Sequence, residues 1–419
     1  MRAVADLHIH SHYSRAVSEN MNIETLDKYA KIKGLNVLGT GDFTHPKWFS
    51  EMKALLKERG STGLYEYKGG TLFMLTAEIS LIYNQDGKLR KIHNILFAPN
   101  FEVVAQVNEW LATKGNLAAD GRPIFGKLAC PELIEKCMSI SKDIMVIPAH
   151  AWTPWFSLFG SNSGFDRMKD CFGDQLNHIH AIETGLSSDP AMNWRLSQLD
   201  NVAMISNSDC HSFWPWRLGR EANVFDLKEV TYKNITDAII AKDPKRFLYT
   251  IETDPSYGKY HWDGHRACNV CLDPKESRKY KGVCPVCGRQ LTIGVLNRVE
   301  ELADRPEGFV PKGAIPFKSV LPLSEVLSAL FDSGVATKTV QEKANKMINA
   351  FGSELNVLLE TSKEKLSELV DEKVAAAIML NREGKVKVQP GYDGEYGRPM
   401  FDEKDIIKMM NPQKRLGEF

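Results

Sequence analysis

The stretch DLHIHSHYS, residues 6–14, sets a pattern that much of the chain repeats: a short apolar run that ends in polar side chains. Ala3 to Ile9 reads as a strand, with His8 and His10 two positions apart along it. Side chains at i and i+2 of an extended chain leave the same face, so both imidazoles point to one place. Two neutral imidazoles converging at a strand end suit a borderline divalent metal such as zinc or manganese. One solvated and one core histidine is the competing reading of the pair alone.

Outward from this stretch, short apolar runs alternate with amphipathic segments to about residue 250. Candidate strands are 3–9, 36–40, 71–76, 94–98, 144–149, 178–183 and 202–206. Each is mostly apolar on both faces, as expected of parallel strands covered by helices. NIETLDKYAKIKGLN reads as a helix with Leu26, Tyr29, Ala30 and Ile32 inward and Gly34 at its end. FEVVAQVNEWLA, CPELIEKCMSI and DPAMNWRLSQLD are further helical candidates. Seven such units imply an α/β fold of the (β/α) barrel type.

Polar residues collect at the C-terminal ends of those strands, where barrel enzymes carry their chemistry. GTGDFTHPKW offers Asp42 and His45, TAEIS offers Glu78, and KIHNILF offers His93. IPAHAWTPW brings His150, and SNSDCHSFW brings Asp209 and His211, again at i and i+2. Each alone could be a helix cap, a satisfied core histidine or a turn aspartate. Their joint placement at successive strand ends indicates a multi-metal active site. Metals held close together can generate hydroxide and clamp attacking and leaving oxygens, and a carboxylate such as Glu78 can bridge them. No GxSxG, P-loop or dinucleotide fingerprint is present, so serine hydrolase, kinase and Rossmann readings lack support.

Composition narrows the partners. Lys+Arg and Asp+Glu both number 53, so no global basic field announces a nucleic acid, and such a site must be a local patch. No signal-peptide core or membrane-length apolar run is seen, which leads to the expectation of a cytoplasmic protein with no membrane partner. Of eight cysteines, Cys268, Cys271, Cys284 and Cys287 form C-x2-C-x12-C-x2-C. Four thiolates at this spacing are expected to close one tetrahedral structural zinc site. KESRKYKG between the two pairs concentrates Lys and Arg, either as a phosphate-facing patch or as a solvated loop. Two loops beside the candidate metals are aromatic, and Trp152, Trp155, Phe156 and Trp214 are candidate walls for an extruded base, against core packing for each singly. Residues 301–419 read as largely helical, interrupted by GKVKVQPGYDGEYGRP as a hairpin or docking loop.

HxH, an acid after strand two, Glu78, further histidines and a closing DxH resemble the polymerase-and-histidinol-phosphatase (PHP) superfamily. The resemblance implies a phosphoesterase on a distorted seven-stranded barrel with two or three metals (zinc, manganese or magnesium). Carried over by position, it makes His8, His10, Asp42, Glu78, His93, His150, Asp209 and His211 ligands, with Glu78, Asp209 and His211 nearest the chemistry. Two departures stand out: Asp42 lies where many members have histidine, and Arg15 follows HxH where many have an acid or histidine. A third metal then requires His12 or His45 to substitute.

The order of barrel (1–250), four-cysteine domain (251–300) and helical domain with GYDGEYG (301–419) resembles the endonuclease Q family over essentially the whole chain. That resemblance implies a DNA-repair endonuclease acting on single- or double-stranded damaged DNA. It would nick on the 5′ side of uracil, hypoxanthine and xanthine, and at abasic sites. A small-molecule phosphatase and a non-catalytic repair adaptor are the other classes in play. Finally, Gln413, Leu416 and Phe419 fall at i, i+3 and i+6, similar to the sliding-clamp-binding box of repair proteins, against a frayed polar tail.

Overall fold

The structure, a computed structural model, describes residues 1–410. Strand β1 (Arg2–Asp6) pairs in parallel with β2 (Val37–Gly39), and β2 in parallel with β3 (Leu72–Gln85). Here the all-parallel expectation fails. β4 (Lys88–Ala98) runs back along β3 from Gln85↔Lys88 to Leu75↔Ala98, and β5 (Met145–Pro148) is antiparallel to β4. The cause is a two-residue turn at Asp86 and Gly87, both with positive φ (53° and 72°), which matches the twist of a tight hairpin.

β6 (Ala181–Glu183) and β7 (Ala203–Ile205) pair in parallel with each other. Single bonds join this pair to its neighbours: Ala151 N–H donates to Glu183 O (2.9 Å), and Asp209 N–H to His8 O (2.9 Å). The seven strands therefore surround one centre, but among the described residues no ladder closes them into a complete barrel. The expected strand 3–9 also stops early, at Asp6, and only an isolated bridge from Ile9 to Cys210 continues it. On its other edge β1 pairs antiparallel with β8 (Ala222–Asp226), which pairs antiparallel with β9 (Phe247–Glu252). β10 (Phe317–Ser319), from the helical region, adds in parallel to β9.

The helix Ile23–Lys33 has the expected limits. Asn22 caps it by accepting from Thr25 N–H, Gly34 ends it at φ 100°, and Ile23, Leu26 and Ala30 are buried. Phe101–Ala112, Cys130–Ile140 and Leu323–Phe331 also form as read. DPAMNWRLSQLD does not: it gives a short helix Pro190–Asn193 and a 3₁₀ turn Ser197–Leu199. The loop 385–400 is a hairpin, Lys387–Gln389 against Arg398–Met400. Its tip docks on the cysteine region, with Trp262 N–H donating to Gly391 O (3.0 Å) and Thr292 Oγ1 to Asp393 Oδ1 (2.6 Å).

One buried cation ties the parts together. Lys33 Nζ donates to Pro215 O and to Glu354 Oε1, each at 2.7 Å. Among the described residues no helix is long and apolar enough to cross a membrane. Gln413, Leu416 and Phe419 lie outside the described residues.

Candidate metal centre

The strand ends bring two groups of donors together, and Glu78 belongs to both. His8, His10, Glu78 and Asp209 form one group, and Glu78, His93 and His150 the other, with donor atoms in each within 4.8 Å of one another. Glu78 and His93 meet because Ser80 opposes His93 across the β3–β4 ladder, and residues 78 and 80 share a face. His93 Nδ1 lies 2.7 Å and His150 Nε2 3.1 Å from Glu78 Oε1. His10 Nε2 lies 3.2 Å from Glu78 Oε2 and 3.1 Å from Asp209 Oδ1. His150 and Asp209 hold φ of 29° and 46°, a region that non-glycine residues occupy at a cost and that clusters at functional sites.

The residues present fit bound cations. His8 Nε2, His10 Nε2 and Asp209 Oδ1 are buried, and no hydrogen bond satisfies any of them. Buried polar atoms without partners are rare, and three that converge on one point are what a metal would complete. The electrostatics agree. Burial opposes protonation of His8, yet Glu183, Asp209 and Glu78 hold it well above the usual histidine value. Burial likewise opposes charge on Glu78, yet His93, Arg122 and His8 hold its carboxyl well below the usual range. A pocket that so favours positive charge favours a divalent cation for the same reason. By contrast, burial pushes His93 down to about 4, so it stands neutral with a lone pair available for ligation.

Two expected ligands, Asp42 and His211, lie outside these groups, as do the possible substitutes His12 and His45. Asp42 stands behind His10: its Oδ1 is 2.9 Å from His10 Nδ1, and its Oδ2 accepts from Ser11 N–H (2.6 Å), Ser11 Oγ (2.7 Å) and Ser14 Oγ (2.9 Å). Both carboxylate oxygens are spent, so Asp42 orients a ligand and does not join either group. His211 lies outside both groups too, its Nδ1 donating to the Asp209 carbonyl at 3.0 Å and its ring 4.7 Å from that of His10. His12 and His45 cannot complete a third set where they stand. They pack around Tyr13, with ring centroids 4.2 Å and 4.3 Å from it.

Sequence reasoning missed two residues. Glu183, at the end of β6, lies 3.0 Å from His8 Nδ1 with each oxygen and accepts from His150 N–H (2.8 Å) and Asn207 Nδ2 (2.9 Å). An acid at a strand end was the signal that had found Glu78, and AIETG carries it as well. Arg122 donates from Nη1 to Glu78 Oε2 at 3.0 Å and comes from a loop with no motif.

Beside Asp209 and His211 opens a cleft of about 520 Å³, lined among others by His150, Arg217, Arg220, Lys259, Tyr260 and Tyr396. Of the expected aromatic walls, Trp152 is core: it is fully buried and donates Nε1–H to Asn193 Oδ1 at 2.8 Å. Trp155 and Trp214 are 39% and 40% exposed. Trp155 lies edge-on to Tyr260, and Trp214 stacks on Trp216 at 5.0 Å. Phe156 tilts against His93 at 4.7 Å.

At the cysteine site, Cys268, Cys284 and Cys287 come together with His265 as the fourth donor within reach, while Cys271 stands outside this group. Cys287 Sγ lies 3.5 Å from His265 Nδ1. The reason is register. In the hairpin Asp263–His265/Val270–Leu272, His265 opposes Val270 and shares its face, whereas Cys271 opposes Gly264 on the other. Tyr392 covers that face, closely enough that a Cβ on Gly264 would meet its ring at 2.4 Å.

A strand ring with two donor groups sharing one carboxylate at its mouth defines the class: an α/β protein built to hold a polynuclear metal centre. Residues 322–385 match the family model of the MJ0043 C-terminal domain. MJ0043 of Methanocaldococcus jannaschii is 34% identical over 262 residues, 61% of this chain, and this chain spans only 32% of that relative's length. YqxK of Bacillus subtilis is 30% identical over 416 residues, 94% of this chain and 98% of that one. Among solved structures, the lesion-specific endonuclease PfuEndoQ of Pyrococcus furiosus matches with a TM-score of 0.87 and 34% identity over 97% of both chains. An endonuclease Q in complex with a 27-mer duplex carrying an abasic lesion matches with a TM-score of 0.87 and 33% identity, over 97% of this chain and 98% of that one. The chain belongs to the endonuclease Q family.

Proposed function

We propose that this protein is a metal-dependent DNA-repair endonuclease that nicks the phosphodiester 5′ to deaminated bases (uracil, hypoxanthine, xanthine) and to abasic sites. The observation that carries the reading is the pair of donor groups sharing Glu78, in a chain that aligns end to end with a lesion-specific endonuclease. The complex of a family member with abasic duplex DNA supports damaged DNA as the substrate class here.

Two or three divalent cations (zinc, manganese or magnesium) held by His8, His10, Glu78, Asp209, His93 and His150 would activate water at neutral pH and polarise the phosphoryl oxygens. The chain's own residues set this up. Glu183 and Asp42 engage the Nδ1 atoms of His8 and His10, which leaves each Nε2 facing the shared carboxylate, where a bound cation would take its lone pair. His211, with Nδ1 engaged at the Asp209 carbonyl, keeps Nε2 to ligate or to pass a proton at the cleft edge. Arg217, Arg220 and Lys259 suit backbone phosphates, and Tyr260 and Tyr396 offer stacking faces to an extruded base. Trp155, Phe156 and Trp214 stay candidate walls on the same side. His265, Cys268, Cys284 and Cys287 are the proposed structural zinc ligands. The ranges 1–250, 251–300 and 301–419 are proposed as catalytic, zinc-binding and positioning parts.

A labelled duplex with one deoxyuridine or deoxyinosine, supplied with Mg²⁺ or Mn²⁺, tests the reading. The expected product is a single nick 5′ to the lesion. Phosphate release from small esters without nicking would favour a small-molecule phosphatase, and binding without cleavage an adaptor.

A further inference from the structure

Arg122 is unexplained by either donor group, and its setting is unusual. It lies on the loop between the helix Phe101–Ala112 and the short strand Ile124–Gly126. That loop is pinned on both sides. Gly121 N–H donates to Tyr13 O (3.0 Å), Thr44 Oγ1 to Gly121 O (3.2 Å), and Ser80 N–H to Pro123 O (3.0 Å). Gly121 has no room for a side chain, since a Cβ would meet Ser14 Oγ at 2.3 Å and Asp42 Oδ2 at 2.4 Å. The backbone bearing Arg122 is therefore fixed against the loop that carries His10.

The guanidinium reaches Glu78 with one nitrogen only, and among the described residues no other acceptor is bonded to its side chain. An arginine has five N–H donors, so four are left, on a side chain that is 29% exposed. As a partner to Glu78 it is one of several, because His150 attends Oε1 while His8 and His10 approach Oε2. Worse, a fixed positive charge 3.0 Å from a shared metal ligand works against cation binding. The arrangement becomes favourable once an anion arrives to join the cations.

We propose that Arg122 binds the non-bridging oxygens of a phosphoryl group seated at the donor groups, as a catalytic residue that steadies its charge. For a phosphodiester, which rests on the endonuclease reading above, the oxygen of water bonds to phosphorus and the P–O bond to the departing oxygen breaks. One water proton ends on that departing oxygen and the other stays with the new phosphate. Arg122 offers planar, bidentate donors to the oxygens on which charge gathers meanwhile.

The test is titration of orthophosphate into the metal-loaded full-length protein, with metal content measured in parallel. Arg122→Ala should weaken phosphate binding at least tenfold with metal content unchanged, and Arg122→Lys should recover part of it. Arg122→Ala should also lower the nicking rate about 10²–10³-fold, the scale for losing one preorganised donor, with partial rescue by added guanidinium. Equal phosphate affinity in wild type and Arg122→Ala, no phosphate binding by wild type, or loss of metal in the variant would each overturn the assignment. Should the wild type bind phosphate through Arg122 yet nick no damaged duplex, the endonuclease reading fails while this assignment stands.

Discussion

The two donor clusters of this molecule are built in opposite ways. At the strand ends His8, His10, Glu78 and His93 are buried and His150 and Asp209 half-buried, and the two HxH histidines each have a carboxylate behind them: His8 has Glu183 and His10 has Asp42. The surrounding core is large, so the geometry is set by the fold and an ion only completes it. At the cysteine site Cys287 is exposed, His265 and Cys268 are half-buried, and the local core is a cluster of Val270, Cys284 and Leu291. Three buried apolar residues make a small core for a hairpin and two loops, so on the zinc reading proposed above an ion would supply folding free energy there. On the same reading the strand-end site would accept metal into a geometry the fold already sets.

The sharpest way to break this contrast is to remove a proposed ligand at the strand ends. Glu78→Ala or Asp209→Ala should take nicking to background while the circular dichroism spectrum stays native, since strand ends contribute chemistry more than stability. A variant that nicks at near wild-type rate would show that the site lies elsewhere. Next in size, Cys284→Ser should lose one zinc per chain and expose residues 263–292 to limited proteolysis, because a structural zinc contributes about 10–16 kcal/mol to its module. Retention of zinc would mean that the thiolates do not act as one site. Within that module the two candidate fourth ligands should separate: His265→Ala should release zinc and Cys271→Ser should not, as read by elemental analysis. The reverse result would restore the four-cysteine set. Smaller again, Glu183→Gln or Asp42→Asn should cost about 10–100-fold in metal affinity or activity, the range for residues that orient a ligand. A loss as complete as that of Glu78→Ala would make them direct ligands.

What could be read from the sequence follows this same division. HxH was legible because the two-residue period of an extended chain brings neighbouring side chains to one face, whereas of DxH only Asp209 joins a donor group, at a positive φ that breaks that period. Asp42 was found, but an acid at a strand end shows its position and not that it faces the Nδ1 of His10. Cys271 stands outside the donor group because C-x2-C spacing says nothing about the hairpin register that turns it toward Tyr392. The antiparallel β3–β4 hairpin was overlooked although Asp86-Gly87 between apolar runs is a strong turn signal. Arg122 carries no local signal at all; only the pinned loop brings it to Glu78.

The Lys33 ammonium also bears on how this chain can be cut. It touches a carbonyl at position 215 and a carboxylate at position 354, and both contacts are buried. Glu354→Ala would leave that charge buried without its carboxylate, a loss of about 3–5 kcal/mol for a broken buried pair. Together with β10, which joins the helical region to the sheet that holds β1, this couples the two regions. The sequence reads as three modules, yet calorimetry should record the strand region and the helical region melting as one.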